Sequence, residues 1–208
     1  MTVKEEVINY VKEKGRASYS AIARALGRPD KTIYVTLREL LDSGILEKDK
    51  EGLYQIGRGY YEMQEDEELL LNARRKILIV RTYNLVLDLR YLLSRSFNVS
   101  VEERASVIDA IEKLRPFVSK YTGVDEKELK RNEEKEIRIG FAEFVTGAVV
   151  WSKPLVKKGM RERYYHILRL LRDHPSADSV KHVVVDSLST FKAVAVKHVG
   201  LADLPEPR

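Results

Sequence analysis

Apolar residues recur at helical spacing from the start of the chain: Val3, Val7, Ile8 and Val11 share one face, and Gly15 stands where a left-handed residue ends a helix. The pattern predicts a first helix over Val3–Lys14. Ser18 or Ser20 can cap a second helix over residues 20–26, with Ile22, Ala23 and Leu26 on one face and Gly27 as its stop. Arg28-Pro29-Asp30 then leads into a third helix, Asp30–Asp42, whose buried stripe is Ile33, Leu37, Leu40 and Leu41 and whose end is Ser43-Gly44. Residues 45–48 and 53–56 read as two short strands joined by the polar turn Asp49-Lys50-Glu51-Gly52. A hairpin after three helices is a wing, and Gly57-Arg58-Gly59 marks the boundary of a first domain over residues 1–59.

Beyond it the periodicity is helical throughout. Residues 65–97 hold no proline or glycine and predict one long helix; between Ile77 and Leu93 its polar positions Arg81, Asn84, Asp88 and Arg95 form only a narrow stripe. Apolar residues occupy most of its remaining circumference, so it must be buried on several sides. A second helix runs from a Ser100 cap, with Glu103 completing a capping box, to about Tyr121, bent or broken near Pro116 and ended by Gly123. A third starts near Asp125, is densely charged to Arg138, turns almost wholly apolar over residues 139–151 and stops at Pro154. Helices over residues 160–173 and 177–199 follow, separated by His174-Pro175-Ser176, and the tail over residues 204–208 is expected to fray. The fold class is mainly α: a three-helix unit with a β-hairpin, then an all-helical bundle over residues 62–208.

Composition narrows the function classes. Hydrophobic residues at 44% and charged residues at 33% describe a chain that can fold around a core. The net charge of +5 fits a polyanionic partner, but 37 basic residues stand against 32 acidic ones, so charge alone does not decide. The absence of cysteine removes disulfides, thiolate nucleophiles and Cys-ligated zinc. The first residues lack a signal-peptide pattern and no apolar run reaches membrane-spanning length, which reads as a cytoplasmic protein with no membrane partner. Few glutamines with abundant Glu, Lys and Arg resemble thermophile usage. His166, His174, His182 and His198 show no i, i+4 pair, so no metal is expected. No catalytic or phosphate-binding motif is present, and the chain reads as a non-enzyme without a cofactor.

The Leu26-Gly27 end of the second helix, the spacing of Thr32-Ile33, Leu37 and Leu40 in the third, and the Gly44-Ile45-Leu46 lead into the wing resemble winged helix-turn-helix transcriptional regulators of the MarR, ArsR and PadR kind. The resemblance covers residues 1–57 without a gap, and it implies a double-stranded DNA-binding regulator that reads the major groove with residues 30–42. The residues agree: Ile33, Leu37 and Leu40 turn inward, which sends Lys31, Thr32, Tyr34, Val35 and Arg38 outward. Lys31 and Arg38 suit guanine edges or phosphates, Thr32 and Tyr34 phosphate or base, and Val35 a thymine methyl. Arg24, Arg28, Lys48, Lys50 and Arg58 are candidate phosphate contacts, opposed by Asp30, Asp49 and Glu51.

Two alternatives stay open. Tyr34 and Val35 equally suit a protein partner, which would make the chain a winged-helix interaction module within a transcription, replication or other assembly. The long helix over residues 65–97 serves either a homodimer or simply the centre of the bundle. Residues 139–151, with Glu143, Thr146 and Gly147, read either as plain core or as the lining of a small-molecule effector pocket around Glu143.

Overall fold

A computed structural model describes residues 1–140, 148–153, 160–173 and 178–207. The chain forms two compact units, Met1–Leu70 and Leu71–Arg208. It is mainly α, with a winged helix at its N-terminus.

Unit 1 holds α1 (Val3–Lys14), β1 (Arg16–Ala17), α2 (Tyr19–Leu26), α3 (Asp30–Asp42), β2 (Leu46–Lys48), β3 (Tyr54–Ile56) and the start of α4 (Arg58–Ser94). Thr2 and Glu5 cap α1 reciprocally, and of the two serines before α2 it is Ser18 that accepts from the Ala21 amide. Val7, Val11, Ile22, Ile33, Leu37, Leu40, Leu46 and Tyr54 form one buried cluster, so all three helices and the wing share a core. Each fully buried aliphatic side chain there contributes roughly 1.5–3 kcal/mol. The strand β1 has no counterpart in the sequence reading. It pairs antiparallel with β3, Arg16 opposite Gln55 and Ala17 opposite Tyr54, and makes a three-stranded sheet in the order β1-β3-β2. Two residues carry too little alternation to announce a strand.

The helix expected to start at Glu65 starts at Arg58, and the two glycines beside that arginine have a packing role. The amides of Gly57 and Gly59 donate to the carbonyls of Ile45 and Gly44 at 2.9 and 3.0 Å. A Cβ on Gly59 would lie 2.8 Å from the Ser43 carbonyl oxygen, and one on Gly57 would overlap that of Gly44. Glycine is required here because two backbones meet, and the chain passes straight into α4.

Unit 2 holds the rest of α4, then α5 (Val101–Thr122), α6 (Glu126–Glu134), β4 (Arg138–Ile139), β5 (Trp151–Ser152), α7 (Met160–Asp173) and α8 (Asp178–Val199). Its core includes Tyr83, Leu85, Leu89, Ile111, Leu114, Tyr164, Leu188 and Phe191. The capping box of Ser100 and Glu103 is present, and α5 runs on through Pro116. That proline is exposed, so the amide bond it removes falls where water is at hand.

Two expectations are corrected. Residues 125–151 do not form one helix: α6 ends at Glu134, Glu136 takes a positive φ of 58°, and β4 pairs antiparallel with β5, Arg138 opposite Ser152 and Ile139 opposite Trp151. A short apolar run fits a buried strand as well as a buried helix, so periodicity alone had no means to separate them. Glu143, Thr146 and Gly147 lie outside the described residues. The tail, in turn, is docked: Leu204 is buried in the core, and the hydroxyls of Tyr164 and Tyr165 donate to the carbonyls of Pro205 and Asp203 at 2.7 and 3.1 Å.

Two members of the polar stripe of α4, Asn84 and Asp88, are buried and tie other elements of unit 2 to it. Asn84 donates to the Ile139 carbonyl at 2.7 Å and accepts from its amide at 3.2 Å, fixing β4. Asp88 pairs with Arg138 on β4 and accepts from Arg163 on α7 at 2.5 Å. Beside the stripe, the Tyr83 hydroxyl donates to Glu133 of α6 at 2.6 Å. Arg115 of α5 donates to both Glu133 oxygens at 2.9 and 2.8 Å. At the other end of α5, Glu103 accepts from Lys197 of α8 at 2.7 Å and lies 3.0 Å from the His198 ring nitrogen.

Glu133→Ala should cost about 3–5 kcal/mol, because it leaves the Arg115 charge and the Tyr83 hydroxyl without their partner; urea unfolding of unit 2 measures this. Glu103 predicts an acid dependence. The Lys197 ammonium, the Ser100 amide and His198 lower its carboxyl to about 2. A lowered carboxyl stabilises above the ordinary carboxylate range, and that share is lost as pH falls toward 2. Melting temperature should therefore fall less steeply with acidification in Glu103→Gln than in the parent protein.

Candidate nucleic-acid interface

The exposed face of α3 is a consequence of its buried one. Ile33, Thr36, Leu37 and Leu40 are buried, and steps of three and four along the helix then place Lys31, Tyr34, Val35 and Arg38 together on the outer face, with Thr32 beside them. Tyr34 is 59% and Val35 44% exposed. The start of α3 follows Pro29, and no side chain caps it. The Thr32 amide donates to the Pro29 carbonyl at 2.9 Å, so what this end offers an anion is the positive end of the dipole and the amides before Thr32, with Asp30 in the same turn. The short turn before it is set by Gly27 in the left-handed conformation and by the Tyr19 hydroxyl, which donates to the Asp30 carbonyl at 3.0 Å. This bond ties α2 to the first turn of α3.

The basic residues divide by what already holds them. Arg24, Lys31 and Lys50 are exposed and form no ion pair among the described residues. Arg38 lies 3.9 Å from Asp42, both well exposed, a contact worth little in water. Lys48 sits 4.9 Å over the Tyr54 ring. Arg28 differs: it donates to both Glu6 oxygens at 3.2 and 2.8 Å, which raises its own pKa, lowers that of Glu6 and clasps the turn to α1. Arg58 is not on a wing strand. It opens α4, where it pairs with Glu62 at 2.9 Å. The cationic surface of unit 1 is therefore thinner than a count of Lys and Arg suggests.

The wing carboxylates also change meaning. Asp49 accepts from the amides of Glu51 and Leu53 at 2.8 and 2.9 Å, so its side chain builds the turn between β2 and β3. Arg16, on the strand that sequence reading missed, lies 3.5 Å from Asp49 and 3.5 Å from Glu51. The Leu53 amide, then the Glu51 amide and Arg16, hold the Asp49 carboxyl below its ordinary range. Arg16 thus reduces the repulsion that two acidic residues at the wing tip would exert on a phosphate. Nothing in the local pattern around Gly15 pointed to this role.

A family model described as HVO_A0114 matches residues 3–56. The chain is 41% identical over 44 residues to an uncharacterized HTH-type transcriptional regulator of Pyrococcus furiosus. That alignment covers 21% of this chain and 30% of the relative's own length. No solved structure matches. No helix among the described residues is long and apolar enough to cross a membrane.

Asp49→Ala should loosen the wing and little else. Amide exchange at Glu51 and Leu53 should accelerate while the amides of α1 and α3 keep their protection; unchanged exchange at those two amides would mean the carboxylate is not what shapes the turn.

Proposed function

We propose that the protein is a transcriptional regulator that binds double-stranded DNA in a sequence-specific way, with α3 in the major groove. The observation that carries this reading is the outer face of α3, where Lys31, Thr32, Tyr34, Val35 and Arg38 stand exposed on a helix anchored by its buried stripe. In this reading Arg38 and Lys31 meet guanine edges or phosphates, Thr32 and Tyr34 meet phosphate or base, and Val35 meets a thymine methyl. Arg24, Lys48 and Lys50 grip phosphates on either side, while Arg28 and Arg58 contribute mainly by holding the fold. The regulator named above, similar over 44 residues, supports the same direction.

The protein acts as a homodimer in the cytoplasm, without catalysis and without a cofactor. One helix reads only a few base pairs, so a symmetric pair of half-sites supplies the missing specificity. Tyr61, Leu69 and Leu70, at 59%, 67% and 53% exposure in the first part of α4, provide apolar surface for a second copy. The exposure of Tyr34 and Val35 also favours a second reading, in which α3 docks on a protein within a larger transcription or replication assembly.

Selection from a random duplex library, with affinity repeated at about 50 and 200 mM salt, separates the two. A palindromic preferred site with steep salt dependence supports the dimeric regulator; no binding at low salt supports the protein-docking module. Arg38→Ala should weaken the preferred site by about tenfold or more, equivalent to roughly 1–3 kcal/mol, and relax preference at one position. Lys50→Ala should weaken all sequences alike and reduce the salt slope by about one contact.

A further inference from the structure

Unit 2 contains a cavity of about 240 Å³ into which four cationic residues converge from four elements: Arg81 of α4, Arg138 of β4, Lys153 just after β5 and Arg163 of α7. The described lining includes no carboxylate. Behind it stands Asp88, whose charge is shared between Arg138 and Arg163. Arg138 is 4% exposed, and its Nε and Nη2 atoms are sealed from water with no hydrogen-bond partner among the described residues. Burial, together with the neighbouring Arg163 charge, lowers the pKa of Arg81; burial, opposed by Asp88 and assisted by Arg163, lowers that of Arg138. Holding Arg138 and Arg163 side by side in a poorly solvated place is costly, and a bound anion would offset that cost.

We propose that this cavity binds a small molecule through carboxylate or phosphate oxygens. Its volume of about 240 Å³ leaves room for a compact metabolite. Guanidinium forks match the two-oxygen edge of either group, and Lys153, which is exposed, supplies a mobile point charge at the mouth. Asn84 also lines the cavity, but its amide is occupied by the Ile139 backbone, so recognition falls to the cations. The site is independent of the DNA-binding reading, and its test does not involve DNA.

The test is thermal melting and calorimetric titration of the full chain with inorganic phosphate and, separately, malonate, each against sodium chloride at matched ionic strength. A saturable rise in melting temperature with either anion is expected; which of the two acts identifies the phosphate or the carboxylate source. Lys153→Gln and Arg81→Gln should weaken the apparent affinity about tenfold or more, as expected for loss of a charge-assisted contact, while Lys130→Gln on α6 should leave it unchanged. Lys153 is exposed, so its replacement spares the core. A shift that follows ionic strength alone, no shift with either anion, or equal affinity in all three variants would overturn the proposal.

Discussion

Asn84, Asp88 and the Tyr83 hydroxyl, buried on α4, find their partners on other elements of unit 2, and these pairings fix what surrounds the helix. Left unpaired, each buried amide or carboxylate would cost more than a typical hydrogen bond contributes. Tyr83 therefore brings Glu133 of α6, and with it Arg115 of α5. Asn84 brings the backbone of β4, and Asp88 brings Arg138 and Arg163. The apolar residues of α4 supply most of the driving force for burial, but they fit many neighbours. The polar ones accept few, and they account for the particular order in which α5, α6, β4 and α7 meet it.

In unit 1 the corresponding constraint is backbone contact. Gly57 and Gly59 let the end of β3 and the start of α4 lie against Ser43 and Gly44, and the same amides close hydrogen bonds there. Because that junction also follows the end of α3, the orientation of the exposed face of α3 is set by packing remote from it. Lys31, Tyr34 and Arg38 are displayed by Ile33, Leu37 and Leu40, and by a junction of glycines that touches none of them.

Much of this was legible in the sequence. α1 and α3 appear with the bounds that periodicity and glycine stops predict, and Ser100 with Glu103 marks the start of α5 by the capping pattern alone. What was not legible depends on partners far along the chain. Arg16 shows no strand pattern because β1 exists only through its pairing with β3. The stripe of Arg81, Asn84 and Asp88 was visible as a spacing, but its partners are 55 residues from Asn84 and 75 from Asp88, and no local pattern names them. Likewise, Arg28 reads as a free cation until Glu6, 22 residues earlier, is seen to hold it.

The division of the basic residues bears on how the proposed regulator would discriminate sequences. A surface carrying many loose cations binds every duplex through phosphates and gains affinity without preference. Here Arg28 and Arg58 are engaged and Arg16 is turned toward Asp49 and Glu51, which leaves Arg24, Lys31, Lys48 and Lys50 as the interface cations without an ion pair among the described residues. In the proposed reading, a modest phosphate contribution would leave a larger share of the binding energy to Tyr34, Val35 and Arg38, where base identity matters. It also leaves one copy binding weakly. In the proposed reading, two copies joined by the apolar residues of α4 recover affinity by engaging two half-sites at once, so that dimerisation supplies strength while the thin positive surface preserves selectivity.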